Sequence, residues 1–160
     1  FLQLEKMNPD IRVSAVRDRF GKDNAEGISR SYDIIVDASD NIETRYFCND
    51  FCVSQGKTLI HGSIGEFNGN IMTIVPGSAC LRCVFPEAVM LKKSSDSGVV
   101  GAVPGIVGSI QAAEVIKVIV GAGEPLVNKL LTFNILTMDF MTIDVLKNPN
   151  CHCSKQWLEQ

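Results

Sequence analysis

The sequence predicts an α/β fold, a doubly wound mixed sheet that is parallel in its N-terminal part and antiparallel in its C-terminal part. Three observations predict it. Asp33-Ile34-Ile35-Val36-Asp37-Ala38 holds the apolar run Ile34-Ile35-Val36, the pattern of a parallel strand covered on both faces. It leads into Asn41 to Gln55, a helix ended by Gly56, and then into Thr58-Leu59-Ile60-His61, a short strand. Strand, helix and strand in that order require a right-handed crossover and parallel pairing. Beyond His61 the pattern changes to a Gly-rich turn and strands of hairpin character.

Phe1 to Met7 reads as the last turns of a helix that ends before Asn8-Pro9. It has no initiator Met and no N-cap signal ahead of it, so the expectation is that Phe1 begins inside a larger domain. Arg12 to Val16 alternates enough to predict a strand, and Lys22 to Arg30 is polar and weakly helical. Gly62 to Gly69 reads as a turn, Asn70 to Val75 as a strand, and Leu130 to Phe133 and Phe140 to Leu146 as two further strands. Glu87 to Gly98 carries Lys92-Lys93-Ser94-Ser95-Asp96-Ser97 and is the expected mobile loop. Val99 to Val120 is the longest apolar stretch. Gln111, Glu114 and Lys117 recur in it every three residues as a polar stripe, which predicts a largely buried amphipathic helix rather than a membrane span. No repeat or long linker interrupts the chain, so residues 1–160 are expected to be a single domain.

A net charge of −3 gives no reason to expect nucleic acid or an anionic membrane as partner. Six cysteines without a signal segment point to metal rather than disulfides, and so to the reducing cytoplasm. Cys80-x-x-Cys83 is a metal knuckle in form, and Cys151-His152-Cys153 supplies a second sulfur pair. Brought together, the two pairs make a closed tetrahedral thiolate site of the kind that binds structural zinc. His152 could replace one sulfur. A redox role is the other functional reading, but the knuckle lies between Pro76-Gly77 and Pro86 instead of opening a helix after a strand. Cys48 and Cys52, one helical turn apart beside Phe47 and Phe51, are expected in the core. His61, ending its strand, is expected to be a satisfied polar residue.

Asp40 stands where ligands sit in such sheets, beyond the carboxyl end of a strand and at the start of a helix. Its carboxylate can cap that helix, hold a metal ion, or do both in turn.

Taken together, Asp37-x-x-Asp40-Asn41-x-x-x-Arg45, the Gly62 to Gly69 turn, Cys80-x-x-Cys83, the Gly98 to Ala112 run and Asn148-Pro149-Asn150-Cys151 resemble the ThiF/MoeB/HesA family, bacterial relatives of ubiquitin-activating enzymes. The resemblance covers nearly the whole chain. It implies a Rossmann-like sheet with a structural zinc site. It also implies ATP-dependent adenylylation of the C-terminal glycine carboxylate of a ubiquitin-like sulfur carrier ending in Gly-Gly, in thiamine or molybdopterin type sulfur transfer, by a homodimer. By resemblance Asp40 is the Mg²⁺-associated carboxylate, Asn41 lies beside it, and Arg17 and Asp18 line the ATP. Cys80, Cys83, Cys151 and Cys153 correspond to the Zn²⁺ ligands. Arg45 belongs to the motif as a catalytic candidate, or pairs with Asp37 or Asp50.

The family's Gly-x-Gly-x-x-Gly phosphate loop, ribose-binding acid and catalytic Arg and Lys precede the segment that Phe1 begins. The chain then corresponds to the C-terminal part of an adenylation domain, and by itself it is expected to bind ATP poorly and to turn over little. Ser94 stands where many relatives carry a cysteine for a covalent carrier intermediate, so any reaction is expected to stop at the acyl-adenylate. The competing reading is a non-catalytic module of the same family that binds a carrier or a partner. A dinucleotide enzyme on the same sheet is disfavoured by the cysteine pairs and the Asp40-Asn41 motif.

Overall fold

The computed structural model describes residues 2–86 and 98–155. Helices α1 (Leu2–Met7) and α2 (Ala25–Ser29) flank an irregular segment, and strand β1 (Ile34–Asp37) follows. Helix α3 (Ile42–Gln55) leads to the hairpin of β2 (Thr58–Ile64) and β3 (Asn68–Ile74), and then to the short helix α4 (Leu81–Val84). The long helix α5 (Ala102–Val120), strands β4 (Lys129–Asn134) and β5 (Asp139–Asp144), and the last turn α6 (His152–Lys155) complete the order.

The strands form one sheet in the order β1-β2-β3-β4-β5. β1 runs parallel to β2, and every later neighbour is antiparallel, so the predicted mixed sheet is present. Both faces carry helices. Leu59, Met72 and Ile74 meet Cys48 and Cys52 of α3 on one face. Ile71 and Phe133 meet Val103 and Val107 of α5 on the other.

Helix α3 starts and stops where its sequence says. Asn41 Oδ1 accepts the Thr44 N–H at 2.8 Å, and Gly56 closes the helix in the left-handed region at φ 62°. Two expectations for strands fail. Arg12 to Val16 has no regular secondary structure and pairs with no strand, because alternation specifies a face without supplying a neighbour, and Val16 stays 52% exposed. β1 is an edge strand, so Val36 is 47% exposed and the run is not covered on both faces.

The Gly62 to Gly69 turn is mostly ladder. Ser63↔Asn70 and Ile64↔Gly69 pair, leaving residues 65–67 as the connection. Gly69 is there for close packing, since a methyl group would overlap the Phe133 ring and come within 2.7 Å of Val107 Cγ2.

Helix α5 is not largely buried as expected: only Val103, Val107, Gln111 and Glu114 are buried along it, so it covers the sheet with one narrow stripe, and that stripe includes polar residues. Gln111 and Glu114 are buried, while Ile116, Ile119 and Val120 are exposed. Gln111 Nε2 donates to the carbonyls of Asp37 (2.8 Å) and Ile60 (3.2 Å). Glu114 Oε2 accepts from Thr73 Oγ1 (2.5 Å) and from the Leu126 N–H (2.7 Å), and Lys117 pairs with the other carboxylate oxygen. Polar groups of the sheet and its connections are thus satisfied from the helix. By length and composition α5 could cross a membrane, but its polar side chains are committed to the sheet side.

Candidate functional site

The turn leaving β1 is built around a buried carboxylate. Asp37 Oδ1 accepts from the Ser39 N–H (3.0 Å) and the Ser39 hydroxyl (2.7 Å). Its Oδ2 lies 3.0 Å from His61 Nδ1, and both side chains are almost fully buried. The Ser39 carbonyl accepts from Arg45 Nε (3.3 Å) and Nη2 (2.9 Å). Asp40 is left exposed beyond the turn, with Asn41 Nδ2 donating to its Oδ1 at 3.3 Å.

Three site expectations are corrected here. Asn41, not Asp40, caps α3, because its side chain reaches the Thr44 N–H and leaves Asp40 free. Arg45 bonds neither Asp37 nor Asp50, because Asp37 is saturated by Ser39 and His61 and Asp50 is held by Arg82. His61 does not end its strand. β2 continues to Ile64, and His61 is its register partner to Asp37 across the parallel pair.

Arg17 and Asp18 lie exposed in the irregular segment before α2, and among the described residues neither forms an ion pair. Their neighbour Arg19 pairs with Glu43 in the first turn of α3 at 3.0 Å, which brings this segment to the end of the helix that Asn41 caps. Between the irregular Arg12 to Val16 segment and β1 runs a groove of about 1190 Å³ whose wall includes Val13, Ile34, Asp37 and Ser39.

Electrostatics separates the groups. Burial alone would raise the Asp37 pKa, but the donors from His61 and Ser39 outweigh it and hold the carboxyl below its ordinary value. Burial lowers the Arg45 pKa while Asp37 and Asp40 oppose that shift. Burial pushes the Cys48 and Cys52 thiols up to about 12, as befits core residues.

The two cysteine pairs meet. Cys80 Sγ lies 3.6 Å from Cys151 Sγ, Cys83 Sγ lies 3.6 Å from Cys153 Sγ, and all four sulfurs fall within 4.8 Å of one another. A tetrahedron with metal–sulfur arms of about 2.3 Å has edges of about 3.8 Å, so the cluster has the dimensions of a four-thiolate centre. Separations of 3.6 Å and more exclude disulfides. His152 is exposed and outside the group, which removes it as a substitute ligand. Burial raises the Cys80 thiol, whereas N–H groups donating to Cys83, including that of Asn148 at 3.5 Å, overcome burial and lower its pKa.

The knuckle is joined to α3. The Leu81 N–H donates to Asn49 Oδ1 at 2.8 Å, and Arg82 makes a two-pronged bond to Asp50 at 2.7 and 2.6 Å. The Arg82 guanidinium also stacks 4.4 Å from the Tyr46 ring centre, and the Tyr46 hydroxyl donates to the Phe85 carbonyl at 2.6 Å. The sequence singled out the four cysteines that the structure brings together, but it gave no place to the Asp37–His61 pair or to the inward role of Gln111. The signal for the pair was present, since each is the fourth residue of an apolar run in neighbouring parallel strands. Ser94 and the loop expected at 87–97 lie outside the described residues.

Residues 2–155 match the ThiF family. The chain is 41% identical over 148 residues to the SAMP-activating enzyme E1 of Haloferax volcanii, covering 91% of the chain and 55% of that protein. It is 39% identical over 158 residues to the sulfur carrier protein adenylyltransferase of Thermus thermophilus, covering 93% and 58%. The match to the adenylyltransferase and sulfurtransferase MOCS3 of Drosophila willistoni is 41% over 165 residues and covers 97% of the chain and 36% of that protein. The chain thus spans little more than half the length of the first two relatives. Among solved structures, E. coli MccB with SeMet MccA superposes with a TM-score of 0.80 at 20% identity, over 96% of this chain and 48% of that one, which shows the fold. From the family match and these relatives, the chain belongs to the ThiF family.

Proposed function

We propose that these residues form the Asp40-bearing part of a site for ATP-dependent adenylylation, acting on the C-terminal glycine carboxylate of a ubiquitin-like sulfur carrier that ends in Gly-Gly. The observation that carries the reading is the Asp37-x-x-Asp40-Asn41 turn, which presents one exposed carboxylate at the capped start of α3, beyond the carboxyl end of β1. The relatives support it, one being the SAMP-activating enzyme E1 of Haloferax volcanii and the other the sulfur carrier protein adenylyltransferase of Thermus thermophilus.

In the reaction a carrier carboxylate oxygen bonds to the α-phosphorus of ATP, and the bond from that phosphorus to the pyrophosphate oxygen breaks. Negative charge accumulates as pyrophosphate leaves. Mg²⁺ bound with the nucleotide supplies the charge screening, and one carboxylate beside substrate phosphates is its usual protein ligand. Asp40 is placed to hold it, and Asn41 steadies the Asp40 carboxylate at 3.3 Å. Arg45 acts on the backbone through the Ser39 carbonyl and sets the shape of the turn. Arg17 and Asp18 approach the nucleotide from the segment tethered by Arg19.

The chain contains no Gly-x-Gly-x-x-Gly cradle for phosphates, so the complete site draws on more polypeptide than these 160 residues, and this chain is the C-terminal part of an adenylation domain. The edge position of β1 and the groove beside it leave room for further strands. Zn²⁺ at Cys80, Cys83, Cys151 and Cys153 is structural and staples the C-terminal tail to the loop after β3. We place the protein in the cytoplasm, as a homodimer that uses the exposed face of α5, with the acyl-adenylate as its product because Ser94 provides no thiolate. The test is carrier-dependent ATP–pyrophosphate exchange by the full-length polypeptide, expected in the wild type and lost in Asp40→Ala. Carrier binding that ignores nucleotide, with no exchange, would favour a non-catalytic module instead.

A further inference from the structure

We infer that His61 is a positioning residue for this reaction: through the buried Asp37 carboxylate it anchors the Ser39–Asp40 turn to the sheet, and so sets where Asp40 stands. The inference rests on the function proposed above for its consequence, and on the geometry alone for its structural content.

The two oxygens of Asp37 have separate tasks. Oδ1 holds the turn through the Ser39 N–H and hydroxyl, and Oδ2 meets His61 Nδ1 at 3.0 Å. His61 sits in the middle of β2, paired with Asp37 on one side and with Met72 on the other, so the ladder fixes its backbone while burial confines its ring. Asp37 and His61 are 3% and 1% exposed, so in the folded chain the imidazole and not bulk solvent meets Oδ2. The groups facing the Asp37 carboxylate are His61 from β2, Ser39 from the turn, and Arg45, Cys48 and Cys52 from α3, and Arg45 also faces Asp40. Gln111 of α5 binds only the Asp37 carbonyl. Without His61, Oδ2 has no strong donor among these described groups. The carboxylate is then free to rotate about χ2, a broad torsion, and the Ser39 bonds turn with it. Arg45 would still hold the Ser39 carbonyl from α3, but the Asp37 side chain would no longer be fixed against the sheet.

A histidine that served only as core would tie its loss to global stability. A positioning histidine ties it to the turn. The first measurement is the ¹⁵N chemical shift pattern of His61 in the wild-type protein, where a proton on Nδ1 is expected and an unprotonated Nδ1 facing Asp37 would overturn the inference. The second is amide hydrogen exchange at Ser39 in His61→Leu and His61→Asn. In His61→Leu the Ser39 amide should exchange about tenfold faster, the loss of one hydrogen bond to a charged partner. Amides inside α3, such as that of Asn49, should not change. His61→Asn keeps an N–H donor near the Nδ1 position and should return Ser39 to within about twofold of wild type. In carrier-dependent exchange by the full-length polypeptide, His61→Leu should raise the Mg²⁺ concentration for half-maximal rate by a similar factor, with His61→Asn restoring it. An unchanged Ser39 rate in folded His61→Leu, equal acceleration throughout α3, or no rescue by His61→Asn would each refute the role. Failure of the wild type to catalyse exchange would instead remove the adenylylation reading, while the shift pattern and the Ser39 rates would still decide the anchor.

Discussion

Removing metal from the four-cysteine cluster should unlatch the C-terminal tail. The perturbation is a strong chelator, with Cys151→Ser as its genetic counterpart. The S···S distances of 3.6, 3.6 and 3.9 Å match a tetrahedral thiolate cage before any ion is placed, so binding needs little rearrangement of the folded chain. An ion present at about a thousand times its dissociation constant stabilises the native state by about 4 kcal/mol. For a domain of 160 residues that corresponds to a loss of about 8–16 °C in Tm on stripping. The tail reaches the body through Cys151, Cys153 and the Asn148 N–H to Cys83, so hydrogen exchange should rise first at residues 148–154 and next at the α4 knuckle. The assay is thermal unfolding with and without chelator, alongside elemental analysis of the purified protein. A metal content near one zinc per chain with a chelator-sensitive Tm is expected. A metal-free protein whose Tm ignores both chelator and Cys151→Ser would refute the reasoning.

Three further outcomes follow from the geometry. Asp37 has a lowered pKa in the fold, so its ionised form stabilises the protein fully above its ordinary value of 3.8, and that contribution is lost as pH falls through the lower folded value. Urea titrations should therefore show wild type more stable than Asp37→Asn at neutral pH and the gap closing in acid; a gap that widens in acid would contradict the sign. Gly69→Ala should cost about 1–3 kcal/mol by overpacking, because the added methyl meets the Phe133 ring and Val107, and a neutral result in denaturant unfolding would show that the ring moves aside freely. Cys48 and Cys52, with thiols raised to about 12 by burial, should resist alkylation at pH 8 in the native state, and mass spectrometry finding them labelled as fast as in denaturant would place them outside the core.

Much of the fold was legible because local chemistry marked it. Gly56 marks the end of α3 as a left-handed residue after the last turn, whereas the cap at its start falls to Asn41 and not to the expected Asp40, because two adjacent side chains could each have reached the first turn. The cysteine pairs were legible by spacing, although only the structure set His152 aside. Arg12 to Val16 misled because alternation is satisfied by any half-exposed extended segment, whereas a strand needs a partner. The α5 stripe was seen, but its direction depends on which polar groups of the sheet lie against the helix. The carbonyls of Asp37 and Ile60 and the hydroxyl of Thr73 drew Gln111 and Glu114 inward, which no period in the helix reveals. Within the site, Asp40 and Asn41 could be named from the motif. Arg45 could not be placed, because its partner is a backbone carbonyl exposed by the shape of the turn.

The central claim is that the Asp40 turn serves carrier adenylylation, and exchange of labelled pyrophosphate into ATP by the full-length polypeptide tests it most directly. With a carrier ending in Gly-Gly the wild type should exchange label, and Asp40→Ala should fall by about a hundredfold or more. Exchange that proceeds unchanged in Asp40→Ala, or that ignores the carrier, would contradict the account.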